Sequence, residues 1–152
     1  MCRIATLPAL ALLALAACGD GSGPDITQVN FAPSLGIDLA TFTRSASGLY
    51  YKDLEVGGGA LVTAGQEVSV HYTGHLWSGG QFDANQPPST PFTFTLGVGQ
   101  VIDGFDEGVS GMRIGGRRQL IIPPDLGYGS RATGPIPANA VLVFTIEVIS
   151  VQ

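Results

Sequence analysis

Hydrophobic and polar residues alternate along several stretches of the chain, with the period of two that is typical of half-buried β-strands. Val68, Val70 and Tyr72 alternate with Ser69 and His71, and similar alternation occurs at residues 92–96 and 142–148. Residues 119–122 form another strand-like run, which the following prolines end. Each of these strands is predicted to bury one face.

A different spacing lies between the second and third of these strands. Ile102, Phe105, Val109 and Met112 are three or four residues apart, which predicts an apolar stripe on a helix of about ten residues. Glycines at 104, 108 and 111 weaken such a helix, so packing on the concave face of a sheet must stabilise it. The predicted fold class is α+β, with a curved antiparallel β-sheet around one short α-helix.

The first seventeen residues are predicted to be an export signal. Arg3 precedes an apolar run, residues 4–17, that is too short to span a bilayer. The run ends in Leu15, two alanines and Cys18, which resembles the lipobox of bacterial lipoproteins. In that pathway the cysteine is lipidated and becomes the first residue, so we expect a lipid anchor on Cys18. An ordinary secretory signal with a chance cysteine is the alternative.

The remaining chain divides into an N-terminal tether with a docking segment, and one domain. Residues 18–47 begin with glycine, serine and proline and hold scattered apolar residues, which predicts a flexible tether followed by a short docking segment. Residues 48–152 are long enough for one compact domain with its own core. The composition, with 45% apolar and 12% charged residues and 22 glycines, is that of a turn-rich globular protein.

The charge of the chain argues against one class of partner, and its cysteine content argues against a disulfide. Cleavage before Cys18 would remove Arg3 and change the formal net charge from −5 to −6, which disfavours nucleic acid as a partner. With Cys2 removed and Cys18 acylated, no disulfide is available. The fold must therefore depend on its core.

The sequence offers little for cofactor or nucleophilic chemistry. His71 and His75 would lie about 13 Å apart on an extended strand, too far to share a metal unless the chain bends sharply at Gly74. Ser110 is not in a nucleophile elbow, and no phosphate-binding glycine motif is complete. We therefore expect no metal and no cofactor.

Six short motifs, in order and in register, resemble those of the FKBP-type peptidyl-prolyl isomerases. The resemblance extends from about Gly48 to Val151. Its motifs are Val70-His71-Tyr72-Thr73-Gly74, Gly80-Gln81-Phe82-Asp83, Pro91-Phe92-Thr93-Phe94, Gly97 to Gly108, Pro124 to Gly129 and Leu142-Val143-Phe144.

The resemblance implies an FKBP-like fold with an aromatic pocket between helix and sheet. Phe105 would form the floor under the proline ring, and Asp83 would lie near the rotating bond and could orient the Tyr72 hydroxyl. The Ile102 amide and the Tyr128 hydroxyl would hold the flanking peptide. The residues implied to line the site are Tyr72, Phe82, Asp83, Phe92, Val101, Ile102, Phe105, Tyr128, Ile136 and Phe144, with Phe94 in the core beneath.

An apolar pocket can catalyse this isomerisation without proton transfer. The barrier to X-Pro rotation, about 18–20 kcal/mol, arises because amide resonance is lost on twisting. The twisted amide has less charge separation than the planar one, so an apolar surround that excludes water favours it. Phe82, Phe105 and Phe144 suit such a surround.

Three departures from the family pattern accompany this resemblance. Phe105 replaces a frequent tryptophan, Leu126 replaces an aromatic residue, and the Gln86-Pro87-Pro88 loop lacks a common arginine that would pair with Asp83.

The implied function is a monomeric prolyl isomerase that binds proline-containing polypeptides and macrolide inhibitors and assists folding. A lipid anchor would hold it in the bacterial cell envelope, facing the periplasm, at the outer membrane because Gly19 follows Cys18. The alternative is a non-catalytic binding module or chaperone for proline-containing or hydrophobic segments that uses the same pocket.

Overall fold

The computed structural model describes residues 25–152. The predicted export signal and Cys18 lie outside these residues. The strands are β1 (Thr43–Arg44), β2 (Tyr50–Glu55), β3 (Glu67–Leu76), β4 (Gln81–Asn85), β5 (Phe92–Thr95), β6 (Arg117–Ile122) and β7 (Leu142–Val151). The α-helix is α1 (Asp103–Val109), and four 3-10 helices span Ile26–Gln28, Pro33–Leu35, Leu39–Thr41 and Pro124–Leu126.

The seven strands form one antiparallel sheet, in which six follow the order β1-β2-β6-β7-β3-β4 and β5 pairs with β3 outside this order. The long strand β3 has β7 on one side along most of its length. On its other side β3 pairs with β5 through residues 67–70 and with β4 through residues 72–75. Both short strands therefore lie on the same edge of the sheet, one after the other.

The predicted alternation corresponds to two faces of the sheet. Val68, Val70, Leu142 and Ile146 are fully buried in one core cluster with Phe105 of α1, as the period of two predicts. We call the face that contacts α1 the inner face and the opposite face the outer face. The core lies between the inner face and the helix, as expected for an α+β fold.

The helix is shorter than predicted. It spans seven residues, because Ile102 has extended dihedral angles and caps its start, while Met112 lies beyond its end. Phe105, Val109 and Met112 are nevertheless all buried. A methyl group added at Gly104 would lie 2.5 Å from the Ile122 side chain, so glycine allows the helix to approach β6 this closely. The residue that weakens the isolated helix is thus required by its packing.

The outer face is covered at one end by residues 25–42, which we call the strap. Apolar side chains spread along the strap, including Ile26, Phe31 and Leu39, pack with Ile121 and Val141 of the outer face in a second core cluster. Thr43 and Arg44 then pair with β2. The docking segment expected before residue 48 is therefore part of the folded unit, which extends at least to Ile26. Within residues 25–152, no helix is long and apolar enough to cross a bilayer.

Candidate functional site

A cavity of about 440 Å³ opens between the start of α1 and the inner face of β3. Aromatic side chains from five parts of the chain converge on it, and Asp83 is its only carboxylate among the described residues. The lining residues are Tyr72, Asp83, Phe92, Gln100, Val101, Ile102, Phe105, Tyr128 and Phe144.

Phe105 forms the floor of the cavity and is only 4% exposed. Its ring meets Tyr72 and Phe144 edge-to-face, with centroid distances of 5.7 and 5.4 Å. Phe94 lies beneath, with its centroid 5.5 Å from that of Phe105, and is buried as expected. Edge-to-face pairs at these distances are favourable geometries for aromatic rings, so the floor is held in one orientation.

Gly74 allows two rings to pack directly over β3. It pairs with Asp83 on β4 and with Phe144 on β7. A methyl group added at Gly74 would lie 2.8 Å from Phe82 Cζ and 2.9 Å from Phe144 Cε1. The Phe82 and Phe144 rings are themselves edge-to-face, with centroids 5.5 Å apart. The position of the Phe144 wall therefore depends on the absence of a side chain at Gly74.

Tyr72 and Asp83 are joined by a hydrogen bond across the cavity wall. The Tyr72 hydroxyl donates to Asp83 Oδ2 at 2.8 Å, and the Ala84 amide donates to Asp83 Oδ1 at 2.8 Å. Burial, with the Asp83 hydrogen bond and charge as further causes, raises the pKa of Tyr72 to about 12. The ion pairs among the described residues join Arg117 to Glu55 and Arg118 to Asp53, and neither involves Asp83. Hydrogen bonds thus orient this carboxylate without a basic side chain.

The mouth of the cavity combines exposed rings with backbone groups. Phe92 and Tyr128 are each 37% exposed, so Phe92 is less buried than its strand pattern predicts, because it lies at the rim. Among residues 25–152, neither the Ile102 amide nor the Tyr128 hydroxyl makes a hydrogen bond. Both groups are therefore available to a bound peptide.

Two residues predicted for the site do not line the cavity. Phe82 packs behind Phe144, and Ile136 is 5% exposed within the main core cluster. One lining residue was not predicted, Gln100, whose Oε1 accepts a hydrogen bond from the Thr95 amide at 2.8 Å. Its position immediately before Val101 was the available signal, since the next two residues were both predicted to line the site.

A larger hollow, of about 720 Å³, lies beside the C-terminal half of α1. Most of its charged groups already have partners within the fold. Asp106 accepts from the Gly97 amide at 2.7 Å, and Glu107 accepts from the Ser47 hydroxyl. Arg118 donates to Asp53 at 2.6 Å. These contacts maintain the structure, so the aromatic cavity is the better candidate for chemistry despite its smaller volume.

Comparison with known proteins decides the family. The model of the FKBP-type peptidyl-prolyl cis-trans isomerase family matches residues 58–149. The chain belongs to this family. Over 105 residues, 68% of its length, it is 49% identical to the FK506-binding protein of Neisseria meningitidis serogroup B, 96% of which is covered.

Two solved structures of FKBP proteins share its fold. The crystal structure of AtFKBP13 matches with a TM-score of 0.68 and 41% identity, over 73% of this chain and 98% of that one. FkpA from Escherichia coli matches with a TM-score of 0.68 and 36% identity, over 74% of this chain and 52% of that one. The predicted FKBP-like α+β fold and the assignment as a peptidyl-prolyl cis-trans isomerase are confirmed.

Proposed function

We propose that this FKBP-type isomerase rotates X-Pro bonds inside the cavity floored by Phe105. The supporting observation is a set of rings around a space open to solvent on one side: Phe105 meets Tyr72 and Phe144 edge-to-face, and the Tyr72 and Phe144 rings are tilted at 56° to each other. A proline ring on this floor would be removed from water, which favours the less polar twisted amide over the planar one.

The groups at the mouth would fix the peptide on either side of the rotating bond. The Ile102 amide is an available donor at the start of α1, and the Tyr128 hydroxyl is an available donor and acceptor on the facing loop. Holding the flanking chain while one amide turns reduces the motion required to a single torsion. Asp83, oriented by Tyr72 and by the Ala84 amide, would present its carboxylate beside that torsion.

We also propose that the cavity binds macrolides. The Neisseria relative carries the name FK506-binding protein, and a preformed aromatic cavity of about 440 Å³ lies in the size range of small-molecule sites. Such a ligand would compete with the peptide for the Phe105 floor. The protein would act as a monomer.

The proposed location is the bacterial cell envelope, where the protein would assist the folding of exported proteins. Residues 15–18 support a lipid anchor on Cys18, which would hold the domain facing the periplasm, at the outer membrane. Labelling cells with a palmitate analogue tests this. Label is expected on the native chain and absent from Cys18→Ala; continued labelling of the variant would refute the anchor.

The catalytic site is tested by the isomerisation of an X-Pro peptide and by proline-limited refolding. Phe105→Leu and Asp83→Ala should both lower kcat/KM, because one alters the floor and the other removes the oriented carboxylate. Val56→Ala, at a side chain that is 80% exposed, serves as the control. Rates unchanged in both site variants would refute the assignment. Peptide binding without acceleration by the native chain would favour a non-catalytic binding module.

A further inference from the structure

The strap packs mainly on the apolar part of the outer face. Cross-strand pairing aligns outer-face residues in rows that run across β2, β6, β7 and β3. The first row, which we call the apolar row, contains Tyr50, Ile121, Val143 and, as its one polar member, His75 on β3; the next row is Lys52, Gln119, Thr145 and Thr73, and the third is Glu55, Arg117, Glu147 and His71. The strap packs on Ile121 of the apolar row, and the ring of its last residue, Phe42, lies 5.9 Å from the Lys52 ammonium of the next row.

The strap also contacts the turn between β3 and β4. The Ala32 amide donates to the Trp77 carbonyl at 2.8 Å. A methyl group added at Gly79 would lie 3.0 Å from both Ala32 Cβ and Ser34 Oγ, so strap and turn are in direct contact. Trp77 packs against both core clusters, and its amide donates to the Val141 carbonyl at 3.2 Å. The strap therefore fixes this turn to the body of the sheet.

This turn leads directly into residues beside the cavity. β4 is the last strand in the sheet order, so β3 is its one strand neighbour among the described residues. Phe82 on β4 meets the ring of Phe144, and Asp83 accepts the Tyr72 hydrogen bond. An edge strand held by a single neighbour shifts more readily than a central one. The strap gives this hairpin a second attachment.

The strap lies outside the part of the chain that defines the family. The family match begins at residue 58. The match to the Neisseria relative spans 105 residues and leaves only 4% of that relative uncovered. The whole relative is therefore shorter than the stretch of this chain from residue 25 to residue 149. This chain thus carries an N-terminal addition beyond what that relative contains.

We propose that the strap is a positioning element of the isomerase site. By fixing the turn at Trp77 to Gly80, it holds β4 so that Phe82 supports Phe144 and Asp83 stays in contact with Tyr72. This inference rests on the proposed function of the Phe105 cavity, and it assigns to Ala32 and Trp77 a role in catalysis without contact with substrate.

Two substitutions at Ala32 test this in the full chain. Ala32→Pro removes the amide donor to Trp77, and Ala32→Leu keeps the donor but adds bulk against Gly79. Leu39→Ala is the matched control, because Leu39 packs in the same cluster but begins the 3-10 helix that comes just before β1, the strand at the opposite edge of the sheet. Trp77 is the chain's single tryptophan, so its fluorescence and its quenching by acrylamide report directly on strap attachment.

We expect both Ala32 variants to increase quenching of Trp77 and to lower kcat. Ala32→Pro should lower kcat by roughly fivefold, about the effect of one lost hydrogen bond, and Ala32→Leu should lower it because the added bulk pushes the strap away from the turn. KM should stay within about twofold, because the peptide anchors at the cavity mouth are unaltered. Leu39→Ala should lower stability in urea while leaving kcat and Trp77 quenching at native values.

Native kcat in both Ala32 variants, with or without a change at Trp77, would overturn the proposal. So would an equal loss of kcat in Leu39→Ala, because the effect would then be general destabilisation. If Ala32→Pro does not fold, Ala32→Leu alone decides between these outcomes. Absence of acceleration by the native chain is a different result, and it would refute the proposed catalytic site itself.

Discussion

The substitution Gly74→Ala displaces two aromatic rings without removing any group from the cavity. The new methyl would lie 2.8 Å from Phe82 Cζ and 2.9 Å from Phe144 Cε1. Carbon atoms in contact are normally about 3.5–4.0 Å apart, so each ring edge would have to move by roughly 1 Å. Neither ring can move independently, because the two are edge-to-face with each other and Phe144 also meets Phe105.

The cost of this displacement can be estimated from packing. Overpacking a core by one methyl typically destabilises a protein by about 1–3 kcal/mol. Alanine reduces the entropy of the unfolded chain relative to glycine, which offsets about 0.4–1 kcal/mol. We expect Gly74→Ala to be less stable by about 1–2 kcal/mol, with a Tm lowered by roughly 3–10 °C. Because a misplacement of 1 Å near the reacting group can cost on the order of a hundredfold, kcat/KM should fall by about tenfold or more.

The assay compares Gly74→Ala with Gly58→Ala, at an exposed glycine where an added methyl meets nothing within 4 Å. X-Pro peptide isomerisation is measured well below both melting temperatures, so that all enzyme is folded, and urea unfolding is measured in parallel. Gly58→Ala should retain native activity and stability. If Gly74→Ala were destabilised as expected yet isomerised the peptide at the Gly58→Ala rate, the Phe82 and Phe144 positions would not matter to catalysis.

Three further outcomes follow from the site and the helix. Asp83→Asn removes a charge that raises the pKa of Tyr72, so this pKa should move down from about 12. The titration of Tyr72 is seen in ultraviolet absorbance as a difference from Tyr72→Phe, and no movement of the pKa would contradict the pairing. Because the pKa of Tyr72 in the folded protein, about 12, exceeds the ordinary tyrosine value of 10.0, the unfolded tyrosine ionises first. The contribution to stability is complete below pH 10 and is lost as pH rises towards 12. Urea unfolding across that range should show a smaller loss for Tyr72→Phe than for the native chain. Gly108→Ala would drive a methyl into the Leu120 side chain and should lower the free energy of unfolding by about 1–3 kcal/mol, whereas a gain from improved helix propensity would contradict this tight packing.

Sequence patterns predicted the strands that bury one face along their whole length. Val68 and Val70, and the alternate residues from Leu142 to Val148, are buried as their period of two indicated. The strand β4 has no such signal, because it lies at the sheet edge and most of its residues are exposed. Its place is decided by pairing with β3, a contact that no local pattern encodes.

The strap was predicted only as an unspecified docking segment for a similar reason. Its apolar residues follow no single period, because short 3-10 helices and extended residues alternate along it. What orders them is the apolar row on the outer face, which includes Ile121. At the site, family resemblance identified most of the lining, but Phe82 and Ile136 support the cavity from behind. Distinguishing lining from support requires side-chain positions.

The shortness of α1 has a consequence for when activity arises during folding. Seven residues containing two glycines are too few to remain helical in water without neighbours, since isolated helices below about 12–15 residues are marginal. Phe105 is therefore presented only after β6 and β7 have assembled beneath it. Rotamase activity therefore comes with the assembled sheet, because a chain in which β6 and β7 have not yet paired has no ordered floor for a proline ring.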